Sequence, residues 1–300
     1  MKLKGLLSSV LLLGSLSAQA KFLPDNDLHL QDHPMFAENM TEEEFVAIIE
    51  RVESYYAPIV ESHGGKLKVE KRWTDRTVNA YAQRVGDDWM VSMFGGLARR
   101  SEVTPDGFML VVCHELGHHL AGFPFSRSWA ANEGQSDFFA TQSCAKNIWG
   151  SDTATNASFR DTVKETAKQK CDTIYFNTQD QDLCYRTAMA GESLAVLLGA
   201  LRRSQTPTFE TPDSSVVEKT NNSHPQAQCR LDTFLNGALC NVHFDENFIP
   251  GSEQGGWNGN VKVAEQESLN NSCSQFKAEH ELSMRPHCWF KQTIDDSIEQ

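Results

Sequence analysis

Apolar residues recur at helical spacing in the first element that the chain predicts. Thr41-Glu42-Glu43-Glu44 has the form of a capping box, which marks the start of a helix. Apolar positions follow it at intervals of three and four residues; they are Phe45, Ile48, Ile49, Val52 and Tyr56. We expect this helix to end near Pro58.

Alternating apolar and polar residues then predict a small sheet. Residues 77–84 and 89–94 flank a Gly86-Asp87-Asp88 turn and predict a β-hairpin, and residues 66–69 predict another short strand. A helix follows from Thr104-Pro105-Asp106, which combines a threonine cap with proline at the first position. This helix is apolar along most of its length and ends at Gly122.

The second half of the chain has mostly helical patterning. We predict helices over residues 130–148, 160–170, 181–203 and 225–239. Residues 205–223 and 245–272 are rich in polar residues, glycine or proline and predict irregular structure. The pattern as a whole indicates an α+β fold that is mostly helical and has a small antiparallel β-sheet.

The first 20 residues resemble a secretory signal peptide. Lys2 and Lys4 precede an apolar stretch over residues 6–16, which is too short to span a bilayer. Ala18-Gln19-Ala20 is a typical cleavage site, and a buried N-terminal helix is the alternative interpretation. We therefore expect an exported mature chain that begins at Lys21, is periplasmic or secreted, and contains no membrane span.

All eight cysteines lie beyond this predicted signal, and an even number of cysteines in an exported chain indicates disulfide bonds. Pairing between sequence neighbours is the simplest hypothesis, although eight cysteines allow many arrangements. It predicts the pairs Cys171–Cys184, Cys229–Cys240, Cys273–Cys288 and Cys113–Cys144.

The formal net charge is −13, from 27 basic and 40 acidic residues. Nucleic-acid binders need a basic surface, so this class of function is disfavoured. The acidic balance is typical of a soluble protein.

The central helix carries the motif His114-Glu115-Leu116-Gly117-His118. Histidines at positions i and i+4 lie on one face of a helix and can bind a single zinc ion, while the intervening glutamate reaches a water on that ion. A pair of surface histidines is the alternative, but the apolar residues before His114 favour a buried helix. The motif predicts metal-assisted hydrolysis with Glu115 as general base.

A catalytic zinc site needs a third protein ligand. The position at which metzincins have a third histidine is Pro124, so that class is excluded. Glu133 lies on the next predicted helix and is our candidate ligand, and Asp137 one turn later is placed to accept the second ring N–H of a ligating histidine. The alternative is that both acids are merely solvated.

These motifs resemble those of the CaaX prenyl protease/HtpX-like zinc metallopeptidases. The shared features are HExxH, the downstream Glu133 and Asp137, the strand Asn79-Ala80-Tyr81-Ala82, the Gly95-Gly96-Leu97 turn and His224-Pro225 followed by Arg230. The resemblance covers about residues 40–240. The best-known members span membranes several times, so this chain is similar to an exported branch. The motif Asn132-Glu133-x-x-Ser136-Asp137 also resembles the corresponding motif of thermolysin-like peptidases.

The resemblance implies a zincin-like domain with one zinc ion per chain, in which His224 and Arg230 stabilise the oxyanion. His224 could instead have no role, and Arg230 could be a structural partner of Asp137 or Glu133. We expect this domain over residues 21–245, with residues 246–300 forming an irregular cysteine-containing segment packed on it. The hairpin could line the cleft and pair with an extended substrate.

We therefore expect a zinc-dependent endopeptidase whose partners are protein or peptide substrates. One alternative is a non-proteolytic zincin-fold binding or chaperone-like envelope protein, against which the intact Glu115 argues. Another is a zinc hydrolase that acts on other bonds.

Overall fold

The computed structural model describes residues 19–29, 39–253, 259–273 and 280–294. Residues 1–18 of the predicted signal peptide lie outside the described residues, as do residues 30–38 of the segment that follows it. Within the described ranges, no helix is both long enough and apolar enough to cross a membrane.

The sheet has four strands in the order β1-β3-β4-β2. The strands are β1 (Ala20–Lys21), β2 (Lys66–Arg72), β3 (Ala80–Val85) and β4 (Asp88–Phe94). The predicted hairpin is β3 and β4, which pair antiparallel around a turn where Gly86 has a positive φ of 60°. Strand β2 pairs with β4 in parallel, so the sheet is mixed and not wholly antiparallel as predicted. The N-terminal β1 pairs antiparallel with the outer edge of β3.

The helices account for most of the remaining structure and confirm the α+β class. In chain order they are α1 (Glu42–Ser62), α2 (Gly95–Ala98), α3 (Pro105–Leu120), α4 (Glu133–Phe139), α5 (Ala145–Trp149), α6 (Thr153–Ala157), α7 (Glu165–Ile174), α8 (Thr178–Arg202), α9 (Ala227–Leu239) and α10 (Val261–Asn270). A π-helical turn, Ala140–Cys144, joins α4 to α5, and a short 3₁₀ turn, Ser158–Asp161, follows α6.

Helix α1 begins with the predicted capping box, in which Thr41 and Glu44 cap each other. It does not end near Pro58 as predicted but continues to Ser62. A proline removes its own amide hydrogen bond and crowds the carbonyl group four residues earlier, but the last turn is held by Val60, which is buried in the core.

Helix α3 lies at the centre of the core. Thr104 caps its N-terminus and Pro105 occupies the first position, as predicted. From Gly107 to Leu120 every residue is buried. The helix contacts α1, α4, α8 and strands β3 and β4. A helix that is covered on all sides holds its polar side chains in fixed positions, which suits a site built on it.

The predicted helix over residues 130–148 is divided into α4, the π-helical turn and α5. Helix α9 packs closely here: a side chain at Gly237 would lie 2.2 Å from the Thr141 hydroxyl. The irregular structure predicted over residues 245–272 contains α10, whose start is capped by Asn260. Burial of Ala264 and Leu269 against the domain stabilises a helix for which the local pattern is weak.

Four disulfide bonds join all eight cysteines. The predicted pairs Cys113–Cys144 and Cys171–Cys184 are confirmed. The predicted pairs Cys229–Cys240 and Cys273–Cys288 are wrong: Cys229 bonds to Cys288 and Cys240 bonds to Cys273. Cys229 and Cys240 lie near opposite ends of α9, so each pairs with the part of the C-terminal segment that packs nearby.

Candidate active site

The two histidines of the HExxH motif lie one turn apart on α3 and are fully buried. The ring centroids of His114 and His118 are 4.7 Å apart. His114 Nδ1 lies 2.7 Å from Asp137 Oδ1, and His118 Nδ1 lies 2.8 Å from the carbonyl oxygen of Ala131. Each Nδ1 therefore donates its proton to an oxygen, so that Nε2 is the nitrogen with the lone pair when the imidazole is neutral.

Glu133 faces both of these lone pairs from the first turn of α4. Its carboxylate oxygens lie 3.4 Å from His114 Nε2 and 3.7 Å from His118 Nε2. Asn132 caps this helix by accepting a hydrogen bond from the backbone N–H of Gln135, and so fixes where Glu133 points. Although burial opposes it, the neighbouring imidazoles lower the pKa of Glu133 to about 2.

These three side chains form a group that could hold a metal ion. One ligand atom from each of His114, His118 and Glu133 lies within 4.8 Å of the other two. Both Nε2 atoms and Glu133 Oε2 are buried and have no hydrogen-bond partner among the described residues. Electron pairs that converge in a buried space without a donor are stabilised by a cation, so the residues fit a metal.

Burial disfavours the charged form of both histidines, but a neighbouring carboxylate reverses the outcome for one of them. Burial lowers the pKa of His118 to about 4, which keeps this imidazole neutral. For His114 the same desolvation is outweighed by the Asp137 carboxylate, which raises its pKa to about 9. Asp137 therefore makes His114 the more basic of the two imidazoles, as a hydrogen-bonded carboxylate does for metal-binding histidines.

Glu115 lies beside the ligands on α3 and is fully buried. Within the described part of the chain, neither of its carboxylate oxygens has a hydrogen-bond partner. Burial raises the pKa of this carboxyl to about 8, although the charge of His114 opposes the shift. A carboxyl whose pKa lies close to neutrality is suited to accepting and returning a proton.

Arg230, on α9, pairs with Asp137 through two hydrogen bonds of 2.6 and 2.7 Å. Both side chains are fully buried. This is the structural partnership that the sequence left open for Arg230. Its remaining terminal nitrogen, Nη1, donates to the carbonyl oxygen of Phe22 at 2.8 Å, so the residue contacts both the ligand network and the segment that follows β1.

His224 reaches the site from the loop before α9. Its Nε2 lies 3.5 Å from Glu133 Oε2 and 2.8 Å from the carbonyl oxygen of Lys21. An imidazole nitrogen that faces two acceptors carries the proton, so His224 is a donor aimed at the site. Burial lowers the pKa of His224.

The sequence left open whether residues 21–40 cover the cleft, and it did not identify residues 20–23 as the part that lies at the site. They lie beside the ligand group, on the outer edge of β3. The only sequence signal for this is the pair of large apolar residues, Phe22 and Leu23, just after the predicted cleavage site. A cavity of about 570 Å³ borders the same segment and is also lined by Glu133, His224 and Arg127.

Comparisons with known proteins add nothing to this geometry: no family model, curated protein or solved structure matches the chain. The function is therefore argued from the site itself.

Proposed function

We propose that the protein is a zinc-dependent endopeptidase similar to the CaaX prenyl protease/HtpX-like metallopeptidases. The observation that carries the proposal is the convergence of His114, His118 and Glu133 beside the buried carboxylate of Glu115. Three nitrogen and oxygen ligands with a neighbouring base are the minimum set for hydrolysis by a zinc enzyme.

The two imidazoles and the carboxylate would hold one zinc ion, and Asp137 and Ala131 orient the imidazoles through their Nδ1 protons. A bound zinc ion supplies Lewis acidity, which lowers the pKa of a water and polarises a substrate carbonyl. Every other contribution to the reaction comes from the side chains around it.

Glu115 is the proposed general base. It accepts a proton from the attacking water and then returns this proton to the amine nitrogen of the leaving group. Both of its carboxylate oxygens are buried beside the ligands and have no hydrogen-bond partner among the described residues, so they are available to accept this proton.

His224 is the proposed donor to the scissile carbonyl. In the structure its Nε2–H already contacts a backbone carbonyl oxygen, that of Lys21, next to the ligand group. A fixed donor at this position stabilises the negative charge that develops on the carbonyl oxygen. Arg230 donates to the next carbonyl along the same strand and would position the peptide.

We place the enzyme in the cell envelope or outside the cell. Four disulfide bonds support an oxidising compartment. The leader pattern of the first 20 residues points to the same route.

The test is hydrolysis of an unfolded protein, casein, by the purified chain beside Glu115→Gln. The substitution keeps the helix and the ligands but removes the base, so the rate should fall by about 100-fold or more while each chain retains one zinc ion. Glu61→Gln, at an exposed position on α1, is the matched control and should keep full activity.

Zinc content and protein hydrolysis, measured together, distinguish the proposed peptidase from the alternative functions. Equal activity in the wild type and Glu115→Gln would refute the assigned base. Zinc binding without hydrolysis of any protein substrate would favour the non-proteolytic binding protein. A chain that binds no zinc would overturn the proposal.

A further inference from the structure

The carbonyl groups of Lys21, in β1, and of Phe22, directly after it, use the donors that a substrate would need. The carbonyl oxygen of Lys21 accepts from His224 Nε2 at 2.8 Å, and that of Phe22 accepts from Arg230 Nη1 at 2.8 Å. The two carbonyl groups that flank the Cα of Phe22 are therefore bound by two donor side chains of the site, beside the ligand group.

The segment Lys21–Leu23 also uses the edge of β3. Phe22 donates its backbone N–H to the carbonyl oxygen of Ala80 at 3.1 Å. The side chain of Asn79 pairs with both backbone groups of Leu23, accepting from its N–H at 3.0 Å and donating to its carbonyl oxygen at 3.2 Å. These are main-chain contacts of the kind by which an extended peptide adds to a sheet edge.

The side chains of the strand are anchored as firmly as its backbone. Phe22 and Leu23 are 0% and 1% exposed. The ring of Phe22 lies edge-on to the imidazole of His114, with centroids 5.2 Å apart, and the guanidinium of Arg230 lies 4.5 Å from its centre. The pocket beside the first ligand is thus filled by an aromatic side chain of the chain itself.

Resting on the function proposed above, we propose that Lys21–Leu23 occupies the substrate groove in the orientation of a substrate and slows hydrolysis by competing with substrate for that groove. The contacts to the backbone of these three residues do not depend on their side chains, as expected where an endopeptidase binds different sequences. The contacts to the ring of Phe22 do depend on the side chain. The groove therefore takes an extended peptide with an aromatic or large apolar residue at the position that Phe22 fills. The segment remains in place after the predicted cleavage before Lys21.

The proposal predicts competition between the segment and a peptide from solution. A tethered segment has an effective concentration in the millimolar range, so it weakens the binding of any free peptide. The probe is a fluorescein-labelled peptide with the sequence of residues 19–25, and its binding is measured by fluorescence anisotropy. Glu115→Gln is the background in every sample, so that hydrolysis does not consume the probe.

Phe22→Ala removes the side-chain anchor and empties the pocket, so we expect it to bind the probe at least about tenfold more tightly than the parent. Leu28→Ala, at an exposed position of the same segment, is the matched control and should bind like the parent. Equal binding by Phe22→Ala and the parent, with both folded, would overturn the proposal.

Hydrogen exchange on the parent chain gives a second measurement that does not depend on a variant. Saturating probe should expose the amides of Phe22 and Leu23 to exchange while β3 stays protected, because the probe replaces the segment on the same edge. Continued protection of these two amides with the probe bound would refute the competition. Neither measurement needs hydrolysis, so loss of peptidase activity alone contradicts the proposed function and leaves the occupied groove standing.

Discussion

Asp137 joins two parts of the site through one carboxylate. Its Oδ1 accepts from His114 Nδ1 and from Arg230, while its Oδ2 accepts a second bond from Arg230. The carboxylate thus fixes the tautomer of a ligand and also holds the guanidinium that contacts residue 22. All three side chains are fully buried, so this arrangement has little freedom to adjust.

Asp137→Asn should therefore weaken zinc binding by about 10- to 100-fold, since partners of ligating imidazoles contribute on this scale. It should also destabilise the fold by about 3 kcal/mol or more, because Arg230 loses its buried counterion. Competition with a chelator measures the first effect and urea unfolding measures the second.

Asp87→Asn makes the same change of charge in the exposed hairpin turn and is the control for both measurements. An affinity for zinc within twofold of the wild type in folded Asp137→Asn would show that Asp137 does not orient the ligand.

Elements with strong local signals could be predicted from the sequence. The hairpin, the caps of α1 and α3, and the neighbouring placement of His114 and His118 follow from spacing alone. The π-helical turn and α10 could not be predicted, since each depends on packing against distant parts of the chain. For the same reason Cys229 pairs with Cys288 rather than with the nearer Cys240.

The disulfide Cys113–Cys144 ties the ligand helix α3 to the π-helical turn after α4. Cys113 directly precedes His114, so the bond holds the two helices that provide the ligands. We expect the double variant Cys113→Ala/Cys144→Ala to lose about 4 kcal/mol of stability on the chain-entropy scale and to bind zinc more weakly.

The control is Cys171→Ala/Cys184→Ala, which opens the bond between α7 and α8. It should lose about 3 kcal/mol, by the same relation for a shorter loop, and keep its zinc affinity. Unfolding in urea and chelator competition provide both values. Equal loss of zinc affinity in the two double variants would mean that the first bond has no special role at the site.

On the scale of the whole molecule, distant segments converge on α4. Residues 20–23 lie on one side of the ligand group, and the C-terminal residues Arg285–Phe290 pack against the helix itself. Arg285 donates to Gln135 on that helix, and the backbone of Trp289 accepts from Asn221 in the loop that leads to His224. No local pattern predicts such convergence, because it brings together residues more than 200 positions apart.

Trp289 is the largest side chain of this C-terminal segment. Its ring is fully buried and packs directly against Gly134. A Cβ atom at that glycine would lie 2.2 Å from the ring, so the ring packs directly on the backbone next to Glu133. Trp289→Ala should cost about 3–5 kcal/mol of unfolding free energy, as removal of a buried aromatic side chain does. It should also weaken zinc binding, because the helix that carries Glu133 loses its support on that face.

Phe176→Ala, which removes an aromatic ring that is 91% exposed, is the control and should change neither value measurably. Urea unfolding and chelator competition test the pair; a Trp289→Ala chain that loses stability but keeps its zinc affinity would show that the C-terminal segment supports the fold and not the site.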